Sequence, residues 1–131
     1  MKFNNIFGKS DASEPKRNNV PWILLTNVSQ LDEITALSNE MPVIIFKHST
    51  RCAISRMVLK QFENEFTSDT KVTPYFLDLL SFREISDAIA KRFDVLHQSP
   101  QLLLIDGGLC TFNASHDAID VQNLEARLKL R

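Results

Sequence analysis

Cys52 is the residue of this sequence best placed to do chemistry. A cysteine attacks as its thiolate, and both a helix N-terminus and nearby cations favour that anion. Cys52 stands where an apolar run, Val43, Ile44, Ile45 and Phe46, gives way to a helical pattern, with Lys47, Arg51 and Arg56 close to it in sequence. Three residues on, where a redox Cys-X-X-Cys pair would carry its second cysteine, the chain has Ser55. A dithiol site can close on itself and expel a bound thiol. Cys-Ala-Ile-Ser can only hold a mixed disulfide until an outside thiol attacks it. The Ser55 hydroxyl is able to donate a hydrogen bond toward the sulfur, or to serve as an ordinary residue of a first helical turn. Three histidines, His48, His97 and His116, could polarise an incoming disulfide or pass a proton to a leaving thiolate. Taken singly, each histidine more often plays a surface or hydrogen-bonding part. No two of them have the short regular spacing of metal ligands, so no metal is expected.

Such a thiol needs a strand that ends beneath it and a helix that begins at it. Residues 22–26 read as a short first strand, and Ser29 is placed to cap a helix carrying Leu31, Ile34 and Leu37 at helical spacing. The run from Val43 to Phe46 shows no polar alternation, as expected of a central strand covered by helices on both faces. Ser49 and Thr50 can cap the next helix, where Ile54, Met57, Val58, Phe62 and Phe66 form a stripe for the core. Residues 72–79 predict a third strand, with Pro74 favouring an edge or strand-start position. Phe82, Ile85, Ala88, Ile89 and Phe93 predict a third helix. Two strands, Gln101–Asp106 and residues 109–114, are joined by Gly107 and Gly108 as a β-hairpin, and residues 120–129 close the chain as a helix. The order β-α-β-α-β-α-β-β-α predicts an α/β protein with a mixed central sheet flanked by helices. A hairpin and helix added to β-α-β units is the arrangement of the thioredoxin fold.

In that hairpin Cys110 begins the strand antiparallel to the one that follows Pro100. If Pro100 lies beside the thiol, as the fold requires, Cys110 lies about five or six residues further along, roughly 15–20 Å at strand rise. A disulfide needs Cα atoms within ~7 Å, so Cys110 is expected to be a packing residue that shares a face with Phe112 and Ala114. The far end of the hairpin brings Ser115 and His116 back toward the thiol. His97, Gln98 and Ser99, just before Pro100, are placed there too.

The chain has 131 residues, 44% of them apolar, which suits one domain of the usual ~100–150 residues. Residues 8–21, with Gly8, Pro15, Pro21 and repeated Ser and Asn, offer little to bury; residues 1–21 are expected to be a flexible leader and 22–131 the thioredoxin-like domain. Fifteen Lys plus Arg against sixteen Asp plus Glu leave a net charge of -1, which provides no field for a run of phosphates, so nucleic acid is not expected as a partner. Two cysteines are too few for the disulfide framework of a secreted domain and suggest a reducing compartment. The opening residues lack the continuous apolar run of a signal peptide, and no stretch approaches the ~20 apolar residues of a membrane span. A cytoplasmic protein is expected. Phe3, Ile6 and Phe7 beside Lys2 and Lys9 could touch a membrane, but an unordered tail is the simpler reading and no stable membrane association is expected.

Three segments carry a family resemblance: Phe46-Lys47-His48-Ser49-Thr50-Arg51-Cys52-Ala53-Ile54-Ser55, His97-Gln98-Ser99-Pro100-Gln101 and Ala114-Ser115-His116. In order, they resemble the signature stretches of the YtxJ-like monothiol bacilliredoxins, over roughly residues 22–128. Arg51-Cys52-Ala53 stands where many members show Thr-Cys-Pro. The resemblance implies a thioredoxin-like fold and removal of bacillithiol, a low-molecular-weight thiol of certain bacteria, from S-thiolated client proteins. It implies Cys52 as nucleophile, Ser55 in place of a resolving cysteine, and Pro100 as a cis-proline that helps bind the substrate's backbone. Around them, Lys47, His48, Ser49, Thr50, Arg51, His97, Ser99 and His116 form the implied substrate-binding set. The small thiol is then a co-substrate and no cofactor is expected. Two other functions are compatible with the same residues: an iron–sulfur cluster carrier using Cys52 from two protomers with small thiols, and a thioredoxin-fold interaction module with an idle cysteine.

Overall fold

The apolar run of Val43, Ile44, Ile45 and Phe46 has no exposed surface and lies in the middle of a five-stranded sheet. The structure, a computed structural model, describes residues 19–130. Its elements are β1 (Ile23–Leu24), α1 (Gln30–Leu37), β2 (Val43–His48), α2 (Ala53–Glu65), β3 (Thr73–Asp78), α3 (Arg83–Phe93), β4 (Gln101–Asp106), β5 (Leu109–Ser115) and α4 (Val121–Leu128), with a 3-10 turn at His116–Ala118. The sheet order is β1-β3-β2-β4-β5. β1, β2 and β3 run parallel, and β4 pairs antiparallel with both β2 and β5. This is the predicted order of elements and a thioredoxin-like α/β fold.

Strand alternation divides the core into two layers. Ile44 and Phe46 face Val58 and Phe62 of α2 and Leu124 of α4, whereas Val43 and Ile45 face Leu31 and Ile34 of α1 and Ile85 and Ile89 of α3. Phe62 anchors the first layer, with ring centroids 5.7 Å from Phe46, 6.1 Å from Trp22 and 6.0 Å from Phe66. Phe62→Ala is expected to destabilise the fold by about 3–5 kcal/mol in urea unfolding. A loss below about 1 kcal/mol would contradict this packing.

Several local expectations change. Asn19–Pro21, assigned above to the leader, belong to the domain: Val20 is buried in the α2 layer and Asn19 Nδ2 donates to Glu63 O at 3.2 Å. Residues 1–18, including Phe3, Ile6 and Phe7, lie outside the described residues. Only Ile23–Leu24 of the first predicted strand pair with β3, which leaves Pro74 unopposed there. Thr73 N–H bonds to Pro42 O on the β2 side, so by alternation the Pro74 nitrogen faces the β1 side before β1 begins, where no donor is needed. Ser29 occupies the N-cap of α1 but makes no side-chain capping bond. Ile54 and Met57, expected in the core, are 50% and 64% exposed; the buried stripe of α2 is Ser55, Val58 and Phe62. At the hairpin, Gly107 and Gly108 have φ of 63° and 82°, the positive pair that a tight two-residue loop favours, and both N–H groups bond to Ser38.

Candidate active site

Cys52 is the residue from which α2 starts. Its backbone is extended, its N–H donates to Ser49 O at 3.2 Å, and its carbonyl accepts from Arg56 N–H at 3.1 Å. Neither Ser49 nor Thr50 caps the helix, contrary to the sequence expectation. The N-cap is the cysteine itself, half-buried and without a side-chain capping bond, so no capping side chain takes up the free N–H groups of the first turn. The loop before it is tied down twice. Arg56 Nη1 donates to Thr50 O at 2.9 Å, and Ser49 N–H donates to Ser55 Oγ at 3.1 Å. Ser55 is wholly buried, and its hydroxyl lies 2.8 Å from His48 Nδ1. Thr50 and Arg51 are exposed.

The second component is the segment entering β4. The Ser99–Pro100 peptide bond is cis, Pro100 is buried, and the next residue, Gln101, pairs with Lys47 near the end of β2. Gln101 Nε2 donates to Leu96 O at 3.0 Å, which braces the segment from within. Ser99 Oγ is buried with no hydrogen-bond partner among the described residues. His116 N–H donates to Pro100 O at 3.2 Å, so the end of β5 returns to this edge as the hairpin geometry predicts. His116 itself is exposed and has φ of 56°, in the left-handed region that few non-glycine residues occupy. It lines, with Ile54, Met57, Gln61 and Ile119, a shallow groove of about 450 Å³ between α2 and the 3-10 turn.

Lys47 departs from its predicted place. Neighbouring strand residues point to opposite faces: His48 joins the α2 side, and Lys47 the α1/α3 side. Lys47 has no exposed surface, and its Nζ lies 2.8 Å from His97 Nδ1, which is also 3.3 Å from Ser86 Oγ of α3. It is therefore neither a cation beside the Cys52 sulfur nor a direct contact for substrate. Burial pushes the Lys47 ammonium down to about 8, with Asp87 opposing. Burial also lowers His97, helped by the Lys47 and Arg83 charges and opposed by Asp87. His48 is lowered by burial as well, with Asp78 opposing and Arg56 adding to the effect. The Lys47–His97 and His48–Ser55 contacts were not anticipated, although the period of two along β2 was the signal that separates Lys47 from His48.

Cys110 lies at the far end of the sheet. It pairs with Ile105, which pairs with Val43 at the start of β2, whereas Cys52 follows the end of that strand. Five strand steps separate Val43 from His48, roughly 16 Å. A bulge between Leu104 and Ile105 reverses the facing of β5, so Cys110 packs in the α1/α3 layer and not on the face of Phe112 and Ala114 as predicted. Burial pushes its thiol up, partly offset by hydrogen bonding with the backbone of Phe112 and Leu104. Cys110→Ser should leave reaction at Cys52 unchanged while lowering stability by about 1 kcal/mol, read by urea unfolding beside a thiol-exchange assay. A severalfold loss of exchange rate would contradict the separation. Among the described residues, no group of three or more His, Cys, Asp or Glu could hold a metal ion, and no helix is long and apolar enough to cross a membrane.

A cysteine at the start of the helix that follows the central strand, on a thioredoxin-like sheet, defines a thioredoxin-like thiol redox protein. The profile of one family, described as monothiol bacilliredoxin BrxC, matches residues 23–124, and the chain belongs to that family. Among solved structures it is similar to one described as a candidate oxidoreductase with a thioredoxin fold, at 30% identity and a TM-score of 0.71, over 80% of this chain and 91% of that one. It also shares its fold with the thioredoxin NaTrxh from Nicotiana alata, at 16% identity and a TM-score of 0.67, over 90% of this chain and 99% of that one. A thioredoxin of Malassezia sympodialis matches at 18% identity with a TM-score of 0.64, over 87% and 91% of the two chains.

Proposed function

We propose that this chain is a monothiol thiol–disulfide oxidoreductase that removes bacillithiol, or a similar low-molecular-weight thiol, from mixed disulfides on client proteins. The observation that carries the reading is a half-buried cysteine at the N-cap of α2 followed three residues later by a buried serine, in a chain of this family. The Cys52 thiolate attacks the small thiol's sulfur in the client mixed disulfide. The new Cys52–small-thiol disulfide forms, and the client sulfur leaves as a thiolate that takes a proton from solvent. A second molecule of small thiol, as thiolate, attacks the sulfur held by Cys52. Cys52 is released as thiolate, and the small thiol departs as its symmetric disulfide. The second small thiol is the reductant, and no cofactor takes part.

The remaining groups support this sequence of steps. First-turn N–H groups of α2 face an anion formed at the N-cap. Ser99 and Pro100 supply the edge where a client's backbone can lie, and exposed Ile54 and Met57 supply apolar surface beside it. His116, at the groove, and Thr50 and Arg51, on the exposed loop, flank the approach to Cys52. A reducing cytoplasm suits such a cycle. The test is a client S-thiolated with bacillithiol, incubated with catalytic amounts of the chain and free bacillithiol, and followed by mass spectrometry. Multiple turnovers are expected. Failure to release the small thiol, with bacillithiol or with glutathione or coenzyme A and their matching client adducts, would sink the reading.

A further inference from the structure

Ser55 has two polar neighbours and one hydroxyl hydrogen. Ser49 N–H, at 3.1 Å, can only donate to its oxygen, while His48 Nδ1, at 2.8 Å, donates when it carries a hydrogen and accepts when it does not. With Nδ1 bare, the Ser55 hydrogen points into the imidazole. With a hydrogen on Nδ1, the two lone pairs of Oγ are filled by Ser49 and His48, and the hydroxyl hydrogen is free. Ser55 is the third residue of α2 and Cys52 its N-cap, the spacing at which a Cys-X-X-Cys pair brings its two side chains together. At that spacing the acceptor offered to the freed hydrogen is the Cys52 sulfur.

We propose that His48 is a positioning residue: a hydrogen on its Nδ1 turns the Ser55 hydroxyl toward Cys52, and its transfer to Nε2 turns the hydroxyl away. The inference rests on the redox reading of Cys52, since the hydroxyl matters when that sulfur bears charge. The charged groups facing the ring are Asp78 from β3 and Arg56 from α2, and the Phe76 ring packs 5.5 Å from it. Burial holds the imidazole neutral at neutral pH, so the switch is between its two tautomers and the coupling runs both ways. A thiolate at Cys52 favours hydrogen on Nδ1, and a sulfur capped by a second sulfur or a carbon releases that preference.

The test is the pair of imidazole 15N shifts of His48 in the full chain, reduced at a pH where Cys52 reacts as thiolate, and again after alkylation of Cys52 with iodoacetamide. The hydrogen is expected on Nδ1 in the first state and on Nε2 in the second, with no response to alkylation in Ser55→Ala. The same tautomer in both states of the wild-type chain would overturn the proposal. In exchange kinetics, Ser55→Ala and His48→Leu should each slow attack by Cys52 about tenfold, and the double variant no further, because both remove one hydrogen bond. Additive losses would also overturn it. Loss of client turnover with the tautomer change intact would instead overturn the reaction assigned to Cys52 and support the coupling.

Discussion

Cys52→Ser is expected to abolish both the mixed-disulfide adduct and client turnover, leaving only the uncatalysed rate of exchange. The proposed cycle places every covalent step on this sulfur, and a serine hydroxyl is neither ionised at neutral pH nor able to form a disulfide. The substitution is close to isosteric at a half-buried helix N-cap, and serine is itself a favourable N-cap residue. Stability should therefore change by less than about 1 kcal/mol, so loss of activity will not reflect loss of fold. Residual turnover above a tenth of the wild-type rate would move the chemistry to another group. Cys110 is the only other sulfur nucleophile in the sequence, and its position at the far end of the sheet, with its thiol pushed up by burial, argues against that outcome.

Lys47→Met is expected to stabilise the protein by about 1–3 kcal/mol at pH 7. Lys47 is completely buried, its ammonium meets the His97 imidazole at 2.8 Å, and burial lowers that ammonium from 10.5 to about 8. The folded state thus binds the proton less tightly than the unfolded state. The penalty is present in full below about pH 8 and is relieved as pH rises toward 10.5, so wild-type stability should climb across that window by about 3 kcal/mol from this group. Tyr75, raised by burial with Glu33 adding, acts in the opposite sense at the alkaline end, so wild type and variant must be compared at each pH. Urea unfolding at pH 7, 8.5 and 9.5 would read the effect. The climb should vanish in Lys47→Met, while His97, relieved of the neighbouring cation, should titrate higher. A variant less stable at pH 7 with the wild-type pH slope would show that the lysine is stabilising where it lies. Retention of a destabilising ammonium beneath the segment that leads to Pro100 fits a role in holding His97 and that loop.

Much of this architecture was legible because local patterns and tertiary demands agree. Val43 to Phe46 reads as a central strand since both faces must be covered, and the Gly107-Gly108 turn reads as a hairpin since both residues adopt positive φ. Cys52 and Ser55 were legible as a pair since a helix start fixes their spacing. The errors have physical causes too. Ile54 and Met57 fit a helical stripe, but the stripe is rotated so that Ser55 faces inward to meet His48, leaving both apolar residues exposed along the groove that His116 lines. Cys110 falls on the other face because one bulge between it and Phe112 changes the alternation, and a bulge leaves little trace in composition. Lys47 reads as one of the cations near Cys52 because it is close in sequence. Its strand position, one step from His48, puts it across the sheet.

The most direct test of the account is peptide mapping under non-reducing conditions after the full chain is mixed with the symmetric disulfide of bacillithiol. One adduct is expected, on the peptide containing Cys52, stable until fresh thiol is added and then lost with recovery of the free cysteine. Cys110 should be recovered unmodified. An abundant intramolecular bridge between Cys52 and Cys110, or an adduct carried on Cys110 with Cys52 free, would contradict both the monothiol cycle and the placement of the two cysteines at opposite ends of the sheet.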